Sequence, residues 1–275
     1  MFYIYIAGGD KRQIMLAEML ESAGHTVAVK GFEKLGANRE FAGKPDWVLL
    51  PIPYRNPDGF LKAPFSDKKM TLTEITERFP DSAYFLGGCD AAAKKILAGK
   101  RWFDVLEDEV FLVRNALLTA EAAVCACLSS TDTALCETRC LVIGYGRIGK
   151  FLCRLLKAFS AEVTATARKE KDLEQIISDG LSAFHTADLK YAIPEADVIF
   201  NTVPFNVMGE RELRCVGKDS RIIELASPPY GMDMELAKNL GVCVQLEQGL
   251  PGRYFPVSAA RAVLHAFEGE SKKWN

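Results

Sequence analysis

An α/β protein of two parallel-sheet domains follows from three features of this chain. Short apolar runs alternate with amphipathic stretches, the signature of βαβ units wound on both faces of a parallel sheet. The alternation pauses at a Pro- and Gly-free segment near residue 120 and then starts again. The length, 275 residues, exceeds the roughly 150 residues of one ordinary domain, so two cores fit. Each sheet is expected to be doubly wound.

The first strand is Tyr3 to Ala7, ended by Gly8-Gly9-Asp10. A helix from Lys11 to Ala23 sets Ile14, Ala17 and Leu20 on one face, and Gly24 is its stop. His25, just beyond, reads as solvated. Strands are expected at Thr26 to Val29, Trp47 to Leu50 and Ala83 to Leu86, with helices opening at the capping box Thr71-x-x-Glu74 and at Asp90. Four prolines from Pro51 to Pro64 forbid regular helix and make that stretch an irregular loop beyond a strand's carboxyl end. Thr119 to Ser130 reads as a buried connecting helix with Thr119 at its N-terminus.

The second half repeats the pattern: strand Arg139 to Ile143, helix Arg147 to Phe159, strand Ala161 to Ala165, a helix around Leu173, then strands Ala196 to Phe200, Ser220 to Leu225 and Val242 to Leu246. A last helix, Val257 to Phe267, is expected to pack back on the first domain. The domains are therefore 1–118, 119–250 and a returning segment 251–275, joined by crossing helices.

The formal net charge is −2, which speaks against a nucleic-acid partner, since such partners leave a basic patch or stripe. The apolar start lacks a positive n-region and a cleavage site, and no apolar run reaches the roughly 18 residues of a membrane span. Of eight cysteines, Cys125, Cys127, Cys140, Cys153 and Cys243 lie in apolar periodic segments and read as small hydrophobes in a reducing cytoplasm. No Cys/His spacing suits a structural metal.

Gly144-Tyr145-Gly146-Arg147-Ile148-Gly149 follows a strand and opens a helix, the context in which GxGxxG means dinucleotide binding in a Rossmann domain. Gly144 permits the tight turn, Gly146 the approach of a pyrophosphate, and Gly149 close helix–strand packing. At the end of the next strand stand Arg168 and Lys169 in place of an acid that would bind a ribose hydroxyl; two cations suit the 2′-phosphate of NADP. Asn201-Thr202-Val203-Pro204 and Ala226-Ser227-Pro228 each follow a strand, so both loops belong at the carboxyl edge of the second sheet. Gly8, Gly9, Asp10 and Arg12 lack the three-glycine spacing and are assigned to another anion, such as a carboxylate.

These residues resemble the A subunits of dipicolinate synthase, bacterial spore-formation proteins related in their nucleotide domain to D-2-hydroxyacid dehydrogenases. The resemblance rests on Gly8-Gly9-Asp10-x-Arg12-Gln13, Asn115 with Thr119-x-Glu121, the Gly144 loop, Phe184-His185-Thr186, Asn201-Thr202-x-Pro204, Leu225-Ala226-Ser227-Pro228 with Gly231, and Gly249-Leu250-Pro251-Gly252 with Pro256. It implies NADP-dependent formation of pyridine-2,6-dicarboxylate from a dihydro or hydroxytetrahydro precursor on a branch of the lysine pathway, in the cytoplasm of a sporulating mother cell, beside a flavoprotein-like B subunit. A dianionic substrate needs donors on two sides. Arg12 with the Gly8-Gly9 backbone is the candidate for one carboxylate, and Ser227 or Arg253 for the other. Glu121 and His185, which follows a strand, are the candidate proton carriers. Two alternatives stay open: a D-2-hydroxyacid dehydrogenase, although the loop before the last helix, Leu250 to Pro256, lacks that family's histidine, and a non-catalytic NADP(H) sensor. Self-association into a homo-oligomer also stays open.

Overall fold

Neighbouring residues on a strand face opposite sides of its sheet, and here apolar residues occupy both sides. The computed structural model describes residues 1–40 and 43–274. The chain divides into two units, Met1–Asn115 with Pro251–Asn275, and Ala116–Leu250.

In the first unit the elements run β1 (Tyr3–Ala7), α1 (Lys11–Ser22), β2 (Thr26–Lys30), β3 (Trp47–Leu49), α2 (Leu72–Arg78), β4 (Ala83–Leu86), α3 (Ala91–Ile96) and β5 (Trp102–Asp104). All pairings are parallel, in the order β2-β1-β3-β4-β5. Ile4, Ile6, Trp47, Leu49 and Phe85 pack on one side against Leu16 and Leu20 of α1. Tyr5, Val48, Leu50 and Tyr84 pack on the other against Leu72, Ile75 and Ala93. The sheet is thus doubly wound, and the order reverses between β1 and β3.

The next helix corrects the sequence reading. α4 spans Glu109–Leu128. It starts ten residues earlier than expected because the Asp108 side chain accepts from the Phe111 amide at 2.9 Å, which supplies the N-cap. Thr119 is a buried mid-helix residue. By length and composition α4 is apolar enough to cross a membrane, but half of its apolar window is buried inside the protein, as in a core helix.

The second unit continues with β6 (Arg139–Ile143), α5 (Arg147–Ala158), β7 (Glu162–Ala167), α6 (Glu170–Ser178), β8 (Ser182–His185), α7 (Leu189–Ala192), β9 (Val198–Asn201), α8 (Glu210–Leu213), β10 (Arg221–Glu224), α9 (Met234–Asn239) and β11 (Cys243–Leu246). Its six parallel strands run β11-β10-β9-β6-β7-β8, the order of a Rossmann sheet, reversing between β6 and β9. α10 (Leu250–Tyr254) and α11 (Pro256–Ser271) close the chain. Within the first unit α11 lays Phe267 edge-on against Trp47 and Phe85, with centroids at 5.3 and 5.8 Å.

Two smaller readings also change. His25 is half-buried, stacks on Phe2 and accepts from its amide at 3.0 Å. Cys243 is exposed and Cys125 half-buried, whereas Cys127, Cys140 and Cys153 are buried. Burial pushes these three thiols up to about 11, 12 and 12, which keeps them protonated and inert.

Candidate functional site

At the β6/β9 switch the loops leaving both strands touch. Thr202 Oγ1 donates to the Ile143 carbonyl at 2.9 Å. Gly144 holds φ +97°, and a Cβ there would fall 2.6 Å from Thr202 Oγ1. A Cβ on Gly149 would fall 2.0 Å from the Gly144 carbonyl oxygen, so α5 packs on the loop only through glycine. Gly146 differs: a Cβ there meets nothing within 4 Å. Gly146 is the N-cap of α5 and brings no side-chain acceptor. The first amides of a twelve-residue helix therefore face open space, a cradle fitted to a phosphate.

A crevice of about 280 Å³ opens on that side. Gly144, Tyr145, Gly146, Arg168, Lys169, Thr202, Val203 and Pro204 line it. Arg147 and Ile148 begin α5 away from its wall, and Ala226 and exposed Ser227 follow β10 without lining it. Tyr145 is buried and its hydroxyl donates to Asp179; burial with that bond raises the phenol above its ordinary value. Arg168 and Lys169 are exposed at the rim. The sequence reading missed Asp172, which sets a carboxylate on the same wall.

His185 is exposed at the end of β8. Its Nδ1 accepts from the Ala187 amide at 3.1 Å, which leaves Nε2 as the donor to the Arg168 carbonyl at 3.2 Å. Both nitrogens fasten the rim. Glu121, the other candidate, is half-buried in the interior of α4.

A second feature missed from sequence lies beneath the loops after β9 and β10. Glu224 is fully buried. Its oxygens accept from Asn201 Nδ2 at 2.8 and 2.9 Å, from the Ala226 amide at 2.9 Å and from the Gly231 amide at 3.1 Å. Asn201 Oδ1 accepts in turn from the Val203 amide at 3.1 Å. Burial raises the Glu224 carboxyl above its ordinary value, against the lowering effect of these donors. An acid inside the apolar run Ile222-Ile223-Glu224-Leu225-Ala226 was the available signal.

In the first unit the expected carboxylate cradle is already used. Gly8 donates its amide to the Lys30 carbonyl at 2.8 Å and Gly9 to the Lys62 carbonyl at 2.6 Å. Arg12 is buried, with Nε donating to Asp10 Oδ1 at 3.0 Å and Nη2 to Oδ2 at 2.9 Å. Asp10 caps α1 as well, and Gln13 Oε1 accepts from the Asp10 amide at 2.9 Å. The carboxylate bound by Gly8, Gly9, Asp10 and Arg12 was to be a ligand's. The protein's own Asp10 fills that place because an N-cap acid two residues from an arginine meets it without closing a loop. Gly252 packs against the Asp10 carboxylate, where a Cβ would fall 2.3 Å from Oδ2. Arg253 is exposed, with its guanidinium 5.7 Å from the Tyr254 ring centroid.

Burial alone would raise the Asp10 carboxyl, but the Arg12 charge and its hydrogen bonds, with Lys62 assisting, hold it below the ordinary value. The lowered acid contributes stability in full above about pH 4 and loses it as pH falls through the depressed folded value. Asp10→Asn is therefore expected to flatten the acid limb of the stability–pH curve, read by urea unfolding between about pH 3 and 6. An unchanged acid limb would overturn this. Arg12→Met should cost about 2 to 3 kcal/mol near neutral pH, below the value for a fully buried pair because Asp10 keeps some contact with water.

Comparison with known proteins agrees with this architecture. Residues 3–107 match the family of N-terminal domains of the dipicolinate synthase A subunit. Residues 100–228 match the D-isomer specific 2-hydroxyacid dehydrogenase NAD binding domain. The dipicolinate synthase A subunit of Bacillus subtilis (strain 168) is 26% identical over 94% of this chain and 92% of its own. The crystal structure of the corresponding protein from Bacillus halodurans, also a dipicolinate synthase A subunit, superposes with a TM-score of 0.87 at 26% identity, covering 96% of each chain. That of the Bacillus subtilis protein gives 0.82 at 25%, covering 98% of this chain and 96% of the other. A nicotinamide-cofactor oxidoreductase is the activity class these matches support. Along nearly its whole length this chain is a relative of the dipicolinate synthase A subunits, with a second domain of the 2-hydroxyacid dehydrogenase NAD-binding kind.

Proposed function

We propose that the chain oxidises dihydrodipicolinate, or its hydroxytetrahydro precursor, to pyridine-2,6-dicarboxylate with NADP⁺. The observation that carries the reading is the open Gly146 cradle with Arg168 and Lys169 on the same crevice, in a chain similar end to end to dipicolinate synthase A subunits. For the dihydro ring the balance is simple: one hydride and one proton leave and the ring becomes aromatic. When bound, the nicotinamide supplies the hydride acceptor. The amides of α5 hold the pyrophosphate, Thr202 to Pro204 form the wall beside the Gly144 turn, and Arg168 with Lys169 neutralise the 2′-phosphate. Glu121 and His185 are the proposed proton carriers. Ser227 or Arg253 is the proposed donor to a substrate carboxylate. The domain roles follow: the unit built on Tyr3–Asp104 handles substrate, and the unit built on Arg139–Leu246 holds cofactor. The proposed setting is the cytoplasm of a spore-forming mother cell, with a flavoprotein-like B subunit as partner.

Charge-assisted contacts from Arg168 and Lys169 should favour NADP(H) over NAD(H) by about 10- to 150-fold, toward the lower end because both side chains are exposed and Asp172 stands beside them. Arg168→Ala with Lys169→Ala should bring the two cofactors near parity, and added salt should erode the wild-type preference. Calorimetric titration of the wild type decides the matter: equal affinities, or tighter NAD(H), would sink the NADP assignment. For the substrate, dihydrodipicolinate generated in place with NADP⁺, with and without the B partner, should yield NADPH and product absorbance together. Turnover of a 2-oxo acid with NADPH instead would favour the 2-hydroxyacid dehydrogenase reading, which the match over residues 100–228 keeps in view.

A further inference from the structure

The first sheet also reverses its strand order, between β1 and β3, and ligands of open α/β sheets bind beyond the carboxyl ends of the strands at such points. The loops leaving these two strands are stitched together there. Gly9 donates to the Lys62 carbonyl at 2.6 Å, and Lys62 donates its own amide to the Tyr54 carbonyl at 3.1 Å. Lys62 is thus fixed in the proline-rich loop directly beside the Asp10–Arg12 pair.

Two other cations of this edge have anions of their own, Arg55 with Asp90 and Lys34 with Asp67 at 2.6 Å, while exposed Lys69 lies over the Phe60 ring at 4.5 Å. Lys62 is half-buried and, among the described residues, forms no ion pair. Asp10, the acid that acts on its charge, is already held on both oxygens by Arg12. The three side chains together carry one uncompensated positive charge. A half-buried ammonium beside a guanidinium is unfavourable unless an anion joins it. Burial first, and then Arg12, lower the Lys62 ammonium from its ordinary value, against the opposing pull of Asp10. Room for an anion is present: a cavity of about 420 Å³ is lined by Lys62 with Asn56, Ser66, Lys68 and Lys69, and its one acid, Asp67, is already paired with Lys34.

We propose that Lys62, held at the β1/β3 switch point beside the closed Asp10–Arg12 pair, takes one carboxylate of a small dicarboxylate substrate. This rests on the dicarboxylate reading given above and supplies the first-domain donor that Arg12 does not.

The test is titration of the full chain, loaded with NADP⁺, with pyridine-2,6-dicarboxylate and separately with malonate. Lys62→Met keeps the aliphatic stem and should weaken pyridine-2,6-dicarboxylate binding by about 10- to 150-fold. NADPH affinity and the urea midpoint should hold, and Lys62→Arg should recover part of the loss. Equal affinity in wild type and Lys62→Met would overturn the role of Lys62 while leaving the dipicolinate reading in place. Malonate bound through Lys62, with no binding of the pyridine dicarboxylate, would uphold Lys62 as a carboxylate site and overturn that reading. A wild type that binds neither probe would overturn both.

Discussion

Glu224→Ala is expected to destabilise the second domain by about 3 to 6 kcal/mol, because it leaves the Ala226 and Gly231 amides and one of the two Asn201 side-chain N–H bonds without an acceptor at about 1 to 3 kcal/mol each, the other N–H keeping the Val203 carbonyl at 3.0 Å, with water entering the vacated space offsetting part of the loss. The carboxylate ties the end of β9 to the loop after β10 and reaches forward to Gly231. Gly231 is packed so closely on this network that a Cβ would fall 2.2 Å from Asn201 Nδ2. Removing the acid should therefore release both loops together. Glu224→Gln keeps the shape but turns an amide NH₂ toward a donor, so an intermediate loss is expected. The raised carboxyl also fixes a sign: its contribution to stability is complete below the ordinary glutamate value and declines as pH rises through the higher folded value. Urea unfolding of the three proteins at two pH values measures all of this. A Glu224→Ala midpoint equal to wild type would show that the buried network does not hold the loops.

Much of the architecture was legible because parallel strands covered on both faces read as continuous apolar runs. Tyr3–Ala7, Arg139–Ile143 and Val198–Asn201 carry that signal. β5 did not register and β8 registered only as the strand leading to His185, without bounds: each is a short edge strand with several half-exposed positions, Trp102 and Phe103 in one and Ala183 and Phe184 in the other. The start of α4 was misplaced because Thr119 is a plausible cap by residue type, while the working cap, Asp108, sits among other acids in Glu107-Asp108-Glu109. The turn and packing of the glycine loop were legible, since Gly144 and Gly149 each leave no room for a Cβ. The first-domain site was not. Sequence offers Arg12 as a donor but cannot show that Asp10 consumes it, nor that the Lys62 carbonyl takes the Gly9 amide. Ionic pairing depends on which loops the topology brings together, and apolar periodicity carries no record of that.

Gly146→Val is expected to leave the second domain folded and to lower NADP(H) affinity by at least about 100-fold. The backbone at Gly146, φ −81° and ψ −163°, is extended and open to any residue, so valine introduces no strain there. Its side chain points into open space, since even a Cβ meets no atom within 4 Å. The stability should therefore fall by no more than the exchange of a glycine N-cap for a branched residue, about 1 kcal/mol. What the branched side chain occupies is the approach to the α5 amides, where a pyrophosphate must come within hydrogen-bonding reach of the backbone. Gly149→Val is the contrasting control. Its Cβ would lie 2.0 Å from the Gly144 carbonyl oxygen, a backbone atom that cannot swing aside, so folding and binding should fail together. Calorimetry with NADPH, paired with urea unfolding of each variant, separates the two cases. If Gly146→Val binds NADPH as the wild type does, the dinucleotide does not cross the Gly144–Gly149 loop. If it unfolds as Gly149→Val does, the glycine serves packing, and the loop's opening toward a ligand is wrong.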